Sequence, residues 1–164
     1  MPTFVIAGNH DRKLQHYEHF FGPLTYMFRF GKDGYLGYDT KNYIIADELD
    51  EQDGLLYYYR RQLRSARWSI GFTHRYALDM GVRAQLTLFV DDPLDYLVYG
   101  HYHREAEEQD DIPWGNTTLI MTPAAINGQF RLITVNNQGL AAQETIQAAV
   151  TTLQEPDLPL SDSK

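Results

Sequence analysis

Three short apolar runs each stop at a cluster of Asn, His and Asp, and this repeated arrangement constrains the fold more than any other feature. Residues 4–7 lead into Gly8-Asn9-His10-Asp11, residues 67–73 lead into His74, and Tyr96–Tyr99 lead into Gly100-His101-Tyr102-His103. Within 67–73, Trp68, Ile70 and Phe72 alternate with Arg67, Ser69, Gly71 and Thr73, the period of a strand with one apolar face. Tyr96–Tyr99 lacks alternation and is short, which predicts a strand buried on both faces. Neighbouring parallel strands bring their carboxyl ends to one edge, where short loops aim polar side chains into a single crevice. Asn9, His74, His101 and His103 are therefore expected to meet, and a metal ion is the simplest reason for them to do so.

The chain contains no cysteine, so a disulfide framework and a thiolate metal site are both excluded, and any ion must be held by imidazole, carboxylate, amide or water. Its formal net charge of −8 argues against nucleic acid as a partner, because a phosphate-backbone binder needs a positive surface. At 164 residues with 43% hydrophobic content, the expectation is one domain with its own core. The first apolar run lacks the basic start and the length of a secretory signal, and no run reaches bilayer-spanning length. A cytoplasmic protein with no membrane partner is expected.

Between the motifs, residues 12–21 read as a short helix stopped by Gly22-Pro23. Tyr26, Phe28 and Phe30 alternate, Gly31-Lys32-Asp33-Gly34 supplies turn residues and Tyr35–Tyr38 resumes, which predicts a hairpin. Leu55, Leu56, Tyr59 and Leu63 recur at helical spacing, with Arg60, Arg61 and Arg64 assigned to the opposite side. A helix is expected over 82–90, strands at 119–121 and 130–135, and a turn at Asn136-Asn137-Gln138-Gly139; residues 140–153 fit either a helix or a hairpin return. The acidic stretches 47–53 and 105–111 read as solvated loops, and 154–164 as a disordered tail.

The three motifs in this order, with Phe-Gly-Pro at 21–23 and Tyr-Met-Phe-Arg-Phe at 26–30 between them, make the chain resemble the later portion of the calcineurin-like metallophosphoesterases. The resemblance covers roughly residues 3–135 and implies an α/β fold, a two-sheet sandwich flanked by helices, with residues 1–153 as one domain. It implies hydrolysis of a phosphomonoester or phosphodiester by a hydroxide held between two divalent ions drawn from Mn, Fe, Zn or Ni. Asn9, His74 and His101 match ligands of one ion, and His103 matches a ligand of the other. His10 matches the histidine near the leaving oxygen, with Asp11 orienting it. Where the family often has His-His-Pro, this chain has His74-Arg75-Tyr76; Arg75 would clamp phosphate or be a surface arginine.

The family's earlier D-x-H and G-D-x-x-[DE] blocks have no counterpart before Gly8 or elsewhere. The resemblance therefore implies a domain incomplete at its N-terminus, lacking the first strands, and at most one ion here. The complete site would draw on a complementing N-terminal segment, and an exposed edge at residues 3–7 would favour association with a second copy. A catalytically inactive scaffold for protein–protein interaction is the alternative. Simpler roles also stand beside each assignment: a turn for Asn9, a helix cap for Asp11, a buried imidazole for His74 and a solvated loop for His101 and His103.

Overall fold

The computed structural model describes residues 3–11, 14–39, 51–75, 89–90, 92–103, 109–111 and 116–148. Among these, the elements run α1 (Leu14–Phe21), β1 (Tyr26–Phe30), β2 (Asp33–Gly37), α2 (Glu51–Gln62), β3 (Ser69–Thr73), β4 (Tyr96–Tyr99), β5 (Gln109–Asp111), β6 (Thr118–Met121), a 3₁₀ turn at Ala125–Asn127, β7 (Gln129–Phe130), β8 (Ile133–Asn136), β9 (Gly139–Ala142) and β10 (Ile146–Gln147). The fold is α/β. A mixed sheet in the order β1-β2-β3-β4-β6-β5 organises it, with β8–β9 and β7–β10 as two small antiparallel pairs.

The strands β2, β3, β4 and β6 are parallel, and β1 and β5 are antiparallel at the two edges. Their side chains alternate between two cores, as the pleat requires. One face places Leu36, Leu97, Tyr99, Leu119 and Met121 against Leu56 and Leu63 of the α2 region. The other sets Ile70, Val98 and Ile120 beneath the β8–β9 hairpin, which contributes Leu140 with Ile133, Val135 and Ala142. Burial on both faces is the expectation for β4, and Leu97, Val98 and Tyr99 meet it.

Local chemistry explains where elements stop. Gly22, at φ +90°, ends α1 in the left-handed region that glycine enters without a Cβ clash, and its N–H donates to the Glu18 carbonyl at 3.0 Å. At the end of α2 the Gln62 carbonyl accepts from Arg29 Nη2 at 2.7 Å, which satisfies one of the carbonyls that a helix terminus leaves open.

Several expectations change. Asp33 and Gly34 belong to β2 rather than to the turn. Arg67 grips the Asp33 carboxylate with two hydrogen bonds, Nε to Oδ1 at 2.8 Å and Nη2 to Oδ2 at 2.5 Å, while a Cβ on Gly34 would lie 2.5 Å from Leu63 Cδ2, so a larger residue there would force Leu63 to shift. Arg60 does not cover the outer side of α2. It is buried, donating to Ser69 Oγ at 3.3 Å and to the Pro93 carbonyl, with Asp92 Oδ1 3.7 Å away; the polar groups at the start of β3 and before β4 draw it inward. The expected strand 130–135 is broken at Arg131, whose side chain turns to the carbonyls of Met121 and Gln143 at 2.8 and 2.9 Å.

Residues 3–7 form no strand. Phe4 stacks flat on Phe28, with centroids 3.8 Å apart, and the Val5 carbonyl accepts from the Tyr26 hydroxyl at 3.0 Å; side chains, not a backbone ladder, hold the segment. Burial pushes the pKa of Tyr26 up to about 12. The hairpin return proves correct for 139–147. The expected helix at 82–90, apart from buried Phe89 and exposed Val90, lies outside the described residues, as do the tail and most of both acidic stretches. No helix among the described residues is long and apolar enough to cross a membrane.

Candidate metal centre

The parallel register sets Thr73 beside Tyr99 and Tyr99 beside Met121, so the residues after β3, β4 and β6 emerge at one edge. The Gly100 N–H donates to the His74 carbonyl at 3.0 Å, and the Thr122 N–H and Oγ1 both donate to the Tyr99 carbonyl, at 2.7 and 3.0 Å. These bonds carry strand pairing into the loops and fix the starting points of His74 and His101. The Gly8-Asn9-His10-Asp11 turn closes on itself: the Gly8 N–H donates to Asp11 Oδ2 at 2.7 Å, and the Asp11 N–H donates to the Gly8 carbonyl at 3.1 Å. A Cβ on Gly8 would sit 3.5 Å from His74 Cε1, so this turn lies against the imidazole.

The side chains meet at His74. Its Nε2 is 3.0 Å from Asn9 Oδ1 and 3.1 Å from His101 Nδ1, and the two rings meet edge to face with centroids 5.0 Å apart. Metal–ligand bonds of about 2.1 Å place adjacent octahedral ligands about 3.0 Å apart and tetrahedral ones about 3.4 Å apart, and the observed separations match the first. The donor set, two imidazole nitrogens and an amide oxygen, suits a borderline divalent cation.

The loop after β4 holds both of its histidines in unusual backbone states. His101 has φ +79° and His103 φ +51°, the left-handed region that non-glycine residues avoid and that gathers at functional sites. His74 is held below its ordinary pKa first by burial and then by the neighbouring His101, with Asp11 opposing and His103 and His10 adding to the fall. His101 is lowered by burial, then by Arg75, His103 and His10. Both effects favour the neutral, ligating imidazole. They also locate His10, Asp11, Arg75 and His103 within electrostatic reach of the pair. Arg75 Nε is enclosed and has no hydrogen-bond partner among the described residues.

All seven residues singled out from the sequence thus gather at one edge. Three of them, Asn9, His74 and His101, form the close set, and among the described residues no group of three or more His, Cys, Asp or Glu side chains is placed to hold an ion. The amide oxygen of Asn9 with the two imidazoles is a donor set that fits a divalent cation. The recorded partner of Asp11 Oδ2 is the Gly8 N–H, and the approach of its chain to α1 lies outside the described residues, which leaves the cap role untouched. His16 and His19 are exposed on α1, away from the set.

Sequence reasoning missed the fourth strand-end loop. Thr122, Pro123, Ala124, Ala125 and Ile126 follow β6 and line a cavity shared with His74, His101 and His103. The same logic that singled out His74 could have found them, since 119–121 was already read as a strand; their apolar character hid them. No protein-family model and no curated protein matches this chain.

Proposed function

We propose that the protein is a metal-dependent phosphoric ester hydrolase built on the metallophosphoesterase plan. The observation that carries this reading is the convergence of Asn9 Oδ1 and His101 Nδ1 on His74 Nε2 at 3.0 and 3.1 Å, from three separate loops whose sequences match that family's motifs. The β8–β9 hairpin packed on the second face of the main sheet supports the two-sheet sandwich of the same plan. Asn9, His74 and His101 would hold a divalent cation, which when bound would supply Lewis-acid polarisation of the phosphoryl oxygen and a more acidic water at neutral pH.

The chain's own residues do the rest. Arg75, close enough to lower the pKa of His101, binds a phosphoryl oxygen by charge and hydrogen bonding. As water oxygen bonds to phosphorus and the ester P–O bond breaks, His10 gives a proton to the departing oxygen. Gly8 and Asp11 hold the turn that carries both Asn9 and His10 in place.

Release of nitrophenolate from mono- and bis-(p-nitrophenyl) phosphate with added Mn²⁺ tests the reading. Turnover by this chain that His101→Ala abolishes is expected. The alternative is the inactive scaffold for protein interaction. A chain that binds Mn²⁺ in titration and shows no turnover overturns the hydrolase and supports the scaffold.

A further inference from the structure

The cavity at the candidate centre has a volume of about 410 Å³, in the range of sites that enclose small organic molecules. Its lining includes the polar His74, His101, His103, Thr73 and Thr122, and the apolar Ile6, Phe72, Val98, Ala124, Ala125 and Ile126. The two follow one another along the strands: Phe72 and Val98 are register partners in β3 and β4, and each strand then runs on into its histidine.

Phe72 also ends a row of stacked rings. Phe4 lies 3.8 Å from Phe28, Phe28 lies 4.8 Å from Tyr35, and Tyr35 lies 5.9 Å from Phe72, centroid to centroid. On the next strand the row gives way to Val98, where the cavity is lined by smaller side chains. At the rim stands Ile126, 82% exposed, on the 3₁₀ turn. That turn is anchored, since Gln147 Nε2 donates to the Asn127 carbonyl at 2.9 Å and the Ala148 N–H donates to the Gly128 carbonyl at 2.7 Å. An isoleucine is thus kept in water at the mouth of an apolar wall, where a ligand would cover it.

We propose that this cavity takes the organic group of the phosphate ester, and that this group is apolar and flat, an aromatic alcohol in the simplest case. The inference rests on the hydrolase reading and names its substrate class. The phosphoryl group lies toward His74, His101 and the positive charge of Arg75, and the ring lies over Val98 beside Phe72, extending the existing row.

The test uses phosphonates, which are not hydrolysed, so that binding is read apart from turnover. The full chain with Zn²⁺ is titrated calorimetrically with phenylphosphonate and with 2-hydroxyethylphosphonate. The phenyl compound is expected to bind at least about tenfold tighter, as burial of one ring predicts. Ile126→Ser should cut that preference about threefold or more, and Ile126→Val should retain it; the exposure of Ile126 keeps both variants folded. Equal affinity for the two phosphonates in a chain that binds Zn²⁺ overturns the inference and leaves the hydrolase reading standing. A chain that takes neither Zn²⁺ nor either phosphonate overturns both.

Discussion

At the amino ends of the parallel strands, polar side chains pair with one another. Arg67 grips Asp33 with two hydrogen bonds, Asp95 Oδ2 accepts from the Ser69 N–H and Oγ at 2.7 and 2.8 Å, and Thr117 Oγ1 donates to the Leu94 carbonyl at 2.6 Å. At the carboxyl ends, Asn9 Oδ1 and His101 Nδ1 converge on His74 Nε2, two histidines sit at positive φ, and Arg75 Nε lacks a partner among the described residues. Both ends come from strands of the same sheet. The amino ends are the better paired, with Arg60 Nε and Nη1 the buried nitrogens that have no partner there among the described residues, whereas the carboxyl ends hold polar atoms toward a common point, an arrangement that a bound ligand would stabilise.

The contrast breaks most sharply under substitution of a ligand. His74→Ala should reduce Zn²⁺ affinity by on the order of 100-fold or more while leaving the urea midpoint close to that of the parent; calorimetry and denaturant titration on one preparation read both. If the midpoint instead falls steeply, His74 belongs to the structural end of the comparison.

Asp95→Ala should do the reverse. It strips the Ser69 N–H and hydroxyl of their shared acceptor, which costs about 1–3 kcal/mol of stability, and Zn²⁺ binding should hold. Loss of cation affinity in this variant would mean that the two ends are not independent.

A smaller effect separates the side chain of His101 from its backbone. At φ +79° alanine is as strained as histidine and glycine is not. His101→Gly should therefore be more stable than His101→Ala by about 1 kcal/mol, although both lose the ligand. Equal unfolding midpoints for the pair would show that the loop is not strained.

The smallest change expected is in acid. The hydrogen bonds from Arg67, and then its charge, hold the Asp33 carboxyl below its ordinary value against the opposing effect of burial. A depressed carboxyl stabilises the fold above its unfolded pKa of about 4 and loses that contribution as pH falls through the lower folded value. Asp33→Asn should flatten this part of the acid limb, read as unfolding midpoint against pH between roughly 2 and 5; an unchanged limb would remove Asp33 from the paired network.

Much of this organisation is legible in residue order. Trp68, Ile70 and Phe72 announce a strand by alternation, and Tyr96–Tyr99 announces a buried one by lacking it; both stand where they were expected. His74, Arg75, His101 and His103 follow from one rule, that loops after parallel strands share an edge; Asn9, His10 and Asp11 reach the same place without a strand before them. Other features needed contacts distant in sequence. Residues 4–7 read as a strand, yet a continuous apolar run does not specify what it pairs with, and here Phe28 and Tyr26 claim it through their side chains. Arg60 reads as a surface residue until Ser69 and Pro93 supply acceptors inside. The apolar loop after β6 carries no chemical signature of its own, so its place on the cavity was invisible.

By itself the sequence determined that any ion must be held by nitrogen and oxygen, and it marked the two strands whose following loops carry His74, His101 and His103. Those properties are local: residue type, two-residue periodicity and position after a strand. Tertiary structure alone decided that Asn9 and His101 approach the same nitrogen of His74, and that a cavity with apolar lining opens beside it. Distances of about 3 Å between residues far apart in the chain depend on parallel register, on the side-chain anchoring of residues 3–8 and on two positive-φ histidines. No pattern within a single segment encodes these, because each is settled by a partner on another element.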